Sequence, residues 1–89
     1  MGAVSPTQLA DDAGEKLLRQ SRSRQYLADQ IHFVRNGLAH QVAWYNAHVK
    51  DLRHDHDSQA ILVALAEQAR LRLERWDNLM DEMKVPPES

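Results

Sequence analysis

Apolar residues follow a helical rhythm through most of this chain, and one stretch carries two such rhythms at once. One series runs Leu27, Ile31, Val34, Leu38, Val42, Tyr45, Val49 and Leu52. From Ile31 its steps are 3, 4, 4, 3, 4 and 3, the spacing that keeps side chains on one face of an α-helix. A second series, Tyr26, Phe33, Gly37, His40, Trp44 and His48, lies on the opposite side of the same helix. A surface helix needs a single apolar stripe, so a helix with two is expected to be clamped between neighbours.

The same steps return further along. Leu62, Leu65, Ala69, Leu73, Trp76, Met80 and Met83 are spaced 3, 4, 4, 3, 4 and 3, and Ile61 and Leu79 widen that stripe. The polar connector Arg53–Ser58 separates the two runs. Two helices of matched register joined by a short turn predict an antiparallel hairpin. Its helices should cover about 24–53 and 59–84, with Asp57 or Ser58 as the cap of the second.

A shorter helix, about 6–20, precedes them. Ser5 is a suitable N-cap, Pro6 suits the first helical position, Gln8 completes a capping box, and Val4 with Leu9 can form a hydrophobic staple. Its stripe is modest: Leu9, Ala13, Leu17 and Leu18, with Gly14 costing about 1 kcal/mol relative to alanine. Asp11, Asp12 and Glu15 suit the positive end of the helix dipole. Gln20–Gln25 is polar throughout and reads as an exposed helical turn or a break, the break being favoured. Pro86 and Pro87 should end the last helix and leave residues 85–89 loose.

The prediction is therefore one all-α domain over residues 1–89. It consists of a long antiparallel hairpin plus a shorter N-terminal helix, a three-helix bundle. The third helix of the chain can cover only one side of the middle one, and the N-terminal stripe is too short to cover the whole of the other. A second copy of the chain is the expected cover. The interface would be Tyr26, Phe33, Gly37, His40, Trp44 and His48, in a homodimer that packs as a helical bundle.

Composition narrows the functional classes. A chain of 89 residues leaves a thin stability margin as a monomer, and oligomerisation is one common way to enlarge such a core. With no cysteine, disulfides and thiolate metal sites are excluded. No apolar run is long enough to span a membrane, and no signal-peptide core is visible, so a cytoplasmic, membrane-free protein is expected. The net charge of −2 argues against a non-specific nucleic-acid coat. Arg19, Arg22 and Arg24 form a basic run best read as a solvated face. Glu67, Arg70, Arg72, Glu74, Arg75 and Asp77 mix signs as an exposed helical face does.

Two stretches hold candidate chemistry. Arg35-Asn36-Gly37-Leu38-Ala39-His40 resembles the R-x4-6-H motif of HEPN-domain ribonucleases, over six residues of the chain. That family is all-α and pairs its protomers so that two Arg/His sets meet in a cleft. The resemblance implies a metal-independent endoribonuclease or toxin acting on RNA, with Arg35 holding phosphate, His40 transferring a proton and Asn36 in support. Arginine offers a planar fork to phosphate and histidine titrates near neutrality. On an ideal helix Arg35 and His40 stand about 140° apart, so they converge only if Gly37 breaks the helix or a second chain supplies one of them. The other stretch, His54-Asp55-His56-Asp57, places His54 and His56 as weak candidate metal ligands; its bland reading is a solvated turn that caps the next helix. With no phosphate loop, zinc pattern or defensible triad, no cofactor is expected. The favoured function is a small non-enzymatic helical interaction module that is an adaptor, regulator or inhibitor, acting through contacts with itself and with a protein partner.

Overall fold

The structure is a computed structural model that describes residues 5–86. They form three α-helices: α1, Pro6–Arg19; α2, Arg24–Val49; and α3, His56–Glu82. One turn of 3-10 helix, Lys50–Leu52, continues α2, so the two hairpin helices have 26 and 27 residues and α1 has 14. No strand occurs among the described residues.

Each helix starts on a side-chain cap. The Ser5 hydroxyl accepts from the Gln8 backbone N–H at 3.1 Å, as the sequence predicts; Val4, the other half of the expected staple, lies outside the described residues. The polar segment after α1 is a break: Ser23 caps α2 by accepting from the Tyr26 N–H at 3.1 Å. At α3 the cap is Asp55, not Asp57 or Ser58. Its carboxylate accepts from both the N–H and the hydroxyl of Ser58, at 3.1 and 2.7 Å. The helix therefore begins three residues ahead of the predicted 59. An aspartate with two donors to satisfy outcompetes a cap further along. Gln59 then donates to the Val49 carbonyl at 3.1 Å and closes the C-terminus of α2 across the turn.

α3 stops at Glu82, before the prolines are reached. Lys84 adopts a left-handed conformation with φ 54°. The Val85 N–H thereby reaches back to the Met80 carbonyl at 3.0 Å, and Val85 folds onto the core beside Met80 and Met83. This is the six-to-one closure of a helix C-terminus, usually built on glycine. The segment is also strapped to α2. Arg24 donates to the carbonyls of Met83 and Lys84, at 2.7 and 3.2 Å. His32 Nε2 lies 2.7 Å from the Pro86 carbonyl; a carbonyl only accepts, so Nε2 carries the hydrogen. Val85 and Pro86 are thus held, contrary to the predicted loose tail; residues 87–89 lie outside the described part of the chain.

The core occupies one end of the hairpin. Leu18 from α1, Leu27, Ile31 and Leu38 from α2, and Trp76 and Leu79 from α3 are all buried. The expected pairing of α2 with α3 is present. At the far end, near the turn, the same stripes are only half covered: Val42, Tyr45, Val49 and Leu62 are partly exposed, and Leu65 is 41% exposed. The reason is the reach of α1, which covers only the end of the hairpin nearer the two termini of α3 and α2.

α1 also seats itself on a face that its apolar pattern does not predict. Its buried residues are Asp11 and Leu18. The ring of Trp76 lies 3.6 Å from where a Cβ on Gly14 would stand. Leu9 and Leu17, expected to face inward, are 56% and 69% exposed. The helix is turned by its acids. Asp11 makes a two-pronged pair with Arg72 at 2.8 and 2.9 Å and accepts from the Trp76 indole at 3.3 Å. Arg75 reaches Asp12 and Glu15, each at 2.7 Å. Arg19 joins Glu15 to Glu82. Asp11, Gly14, Glu15 and Leu18 are spaced i, i+3, i+4, i+7, so one face carries the centre of the contact, with Asp12 and Arg19 reaching in from its edges. Arg72 and Arg75, read from sequence as part of an exposed mixed-charge face, are the receptors of α1. Only Glu67, Arg70 and Glu74 pair locally as that reading expects.

Candidate interaction surface

α2 carries the second apolar series on its outer side, and neither α1 nor α3 covers it. Phe33 is 77% exposed, Tyr26 and Trp44 are about half exposed, and Gly37 and His40 are exposed. The helix is continuous through Gly37, and apart from its chain neighbours and the helix's own backbone no atom lies within 4 Å of where its Cβ would stand. Gly37 therefore opens a flat step between Phe33 and Trp44 at which another backbone can approach closely. Trp44 is braced from within the helix. The His48 ring stacks on it at 3.9 Å, its planes 20° apart, while His48 Nδ1 lies 2.8 Å from the Trp44 carbonyl. Tyr45 meets the same indole edge-on at 5.5 Å. Tyr26, Phe33 and Trp44 each offer an aromatic area of about 150–250 Å². At these exposures they leave several hundred Å² bare, the size of patch that on a monomer commonly marks a contact site.

The predicted interface residues thus share one surface, with His48 half-buried at its end. The candidate catalytic residues do not share a site within the chain. Arg35 is turned toward α3, where its Nε pairs with Asp77 Oδ1 at 2.5 Å, and it also contacts the Asn36 amide oxygen at 3.4 Å. His40 points to solvent from another side of an unbroken helix. Both partners of the Arg35–Asp77 pair are more than a third exposed, so it ties α2 to α3 only weakly.

His54 and His56 are both exposed, one in the turn and one opening α3. Among the described residues no three histidine or acidic side chains gather as a ligand set. Asp55, which stands between them, is committed to Ser58, whose hydroxyl bond holds its carboxyl below the usual carboxylate range. No helix among the described residues is long and apolar enough to cross a membrane.

The feature that sequence reasoning missed is the acid–arginine clamp between α1 and α3. Its signal was present as acids at i, i+1 and i+4 on α1 and arginines at i and i+3 on α3, but nothing local distinguishes a clamp from a solvated face. The Arg72 bonds hold the Asp11 carboxyl below its usual range despite burial, and the Arg75 bonds, then those of Arg19, do the same for Glu15. The chain matches no protein-family model, and comparison with curated proteins and with solved structures likewise finds no match.

Proposed function

We propose that this chain is a small non-enzymatic helical interaction module, an adaptor, regulator or inhibitor that works as a homo-oligomer and engages protein through the outer face of α2. The observation that carries the reading is Phe33 at 77% exposure, on one line with Tyr26, Gly37 and Trp44 of an intact helix. Burying such a ring returns roughly 1.5–3 kcal/mol, and aromatic anchors dominate protein contacts. The face has few charges to desolvate, Asp29 being the acid nearest to it. Among the described residues no converged constellation of acid, base or nucleophile competes with it.

The test is affinity capture from the source cell extract with the intact chain and with a Phe33→Glu, Tyr26→Glu variant. Both positions are exposed, so helicity and melting should be unchanged. A defined protein retained by the wild type and lost with the variant is expected. Identical capture by both chains, or no specific capture by either, would overturn this use of the α2 face.

A further inference from the structure

The site that α1 occupies on the hairpin is only half filled. α1 docks against Arg72, Arg75, Trp76, Leu79 and Glu82. Seven residues, or two turns, before Arg72 and fourteen before Leu79 the same column of α3 holds Leu65, and fourteen before Arg75, with Gln68 between, it holds Ile61. These lie on the same side of α3 as the α1 contacts, past the point where α1 begins, and Ile61 is 61% exposed. The hairpin therefore continues the α1 seat toward its turn with apolar in place of ionic contacts, and no helix among the described residues lies there.

α1 has a matching surplus. Leu9, Ala13 and Leu17 point away from the face of Asp11, Gly14 and Leu18, their mean direction about 130° further around the helix, and all three are exposed. The length also fits. Twice the 14 residues of α1 is 28, against 26 and 27 for α2 and α3. Two copies of α1 laid end to end fill the length of one hairpin.

From these we infer that two copies of this chain pair face to face and antiparallel, with each α1 sandwiched between its own hairpin and the turn end of the partner's. The inference rests on the homo-oligomer part of the reading above and supplies its surface, which is distinct from the aromatic face of α2. Asp11 stands level with Arg72, and α1 begins five residues earlier, so the two-fold axis falls near the level of Glu67. About that axis Leu9 comes opposite Leu65 of the other copy, Ala13 opposite Ile61, and Leu17 near the turn at Leu52. The small side chains Ala10 and Ala13 on α1, and Ala60 and Ala64 on α3, allow the helices to approach closely. Each copy gives one helix-length contact and receives another, which is the scale of a standard interface of about 800 Å² per partner. The arrangement leaves Tyr26 and Phe33 of both copies on the outside.

Sedimentation of the full chain at micromolar concentration tests this. The wild type should be a dimer. Leu9→Glu and Leu65→Lys should each weaken it at least about tenfold with helicity unchanged, since both residues are exposed in the single chain. The double variant, which sets Glu of one copy against Lys of the other, should recover much of the loss. Phe33→Glu should leave the dimer intact. A wild type that stays monomeric would overturn the pairing while leaving the α2 face free for a different protein. A dimer insensitive to both single variants but dissolved by Phe33→Glu would overturn it in the other direction, by placing self-association on α2. Should Leu65→Lys lower helicity, Leu17→Glu takes its place, and a dimer unaffected by Leu9→Glu and Leu17→Glu overturns the proposal.

Discussion

Asp11 is the residue on which the position of α1 turns. It is 5% exposed, and its two oxygens accept three bonds from Arg72 and Trp76. Truncating it leaves a partly buried guanidinium and an indole N–H without their acceptor. Asp11→Ala should therefore cost about 2–3 kcal/mol, read from denaturant midpoints, and more than Asp12→Ala, whose carboxylate is mostly exposed. The glycines behave differently. A Cβ on Gly37 meets open space, and one on Gly14 meets the Trp76 ring at an ordinary 3.6 Å. Each change to alanine should raise stability by up to about 1 kcal/mol by removing backbone freedom from the unfolded chain. A lower melting temperature for Gly14→Ala would show that the α1–Trp76 contact is tighter than this spacing.

Among the elements, α1 is the least secured. α2 and α3 share an apolar seam along the hairpin, whereas α1 gives the core a single buried leucine and otherwise holds by ion pairs and by Trp76 against Asp11 and Gly14. Both acids at the centre of the clamp have carboxyl groups held below their usual range. A depressed native pKa means stability that is full above the unfolded value and is lost as pH falls through the native one. The α1 contact should therefore persist at neutral pH and weaken below about pH 4, the ordinary carboxylate range. Hydrogen exchange followed from pH 7 to pH 3 is expected to show α1 amides losing protection first, with those of α2 and α3 retained. Simultaneous loss across all three helices would mean that the clamp is not what holds α1. The sequence made the existence of α1 plain through Ser5 and Pro6. It did not disclose which face docks, because Leu9 and Leu17 advertise one side while the acids, whose partners are some 60 residues away, claim the other.

For the molecule as a whole, the outer face of α2 and the turn end of the hairpin are two separate apolar surfaces, and the predicted effects of Phe33→Glu and Leu65→Lys separate them. The hairpin itself was written in the chain. Matched steps in two runs around a polar turn admit one pairing, because a period of 3.6 permits only one face of each helix to meet the other. The bare aromatic face of α2 was equally legible as a surplus over what one partner helix can cover. What the tertiary structure decided is where each surplus lies. Leu79 and Ile61 extend the same column of α3, yet one is buried and the other open, because α1 is 14 residues long and is anchored by Arg72 and Arg75 to one end. Arg35 and His40 likewise share a short motif but part company, since an intact helix through Gly37 turns the first toward Asp77 and the second to solvent. Periodicity is a local property and is readable residue by residue. The seat of α1 and the fate of Arg35 depend on charge pairs far apart in sequence, whose meeting exists only once the chain has folded.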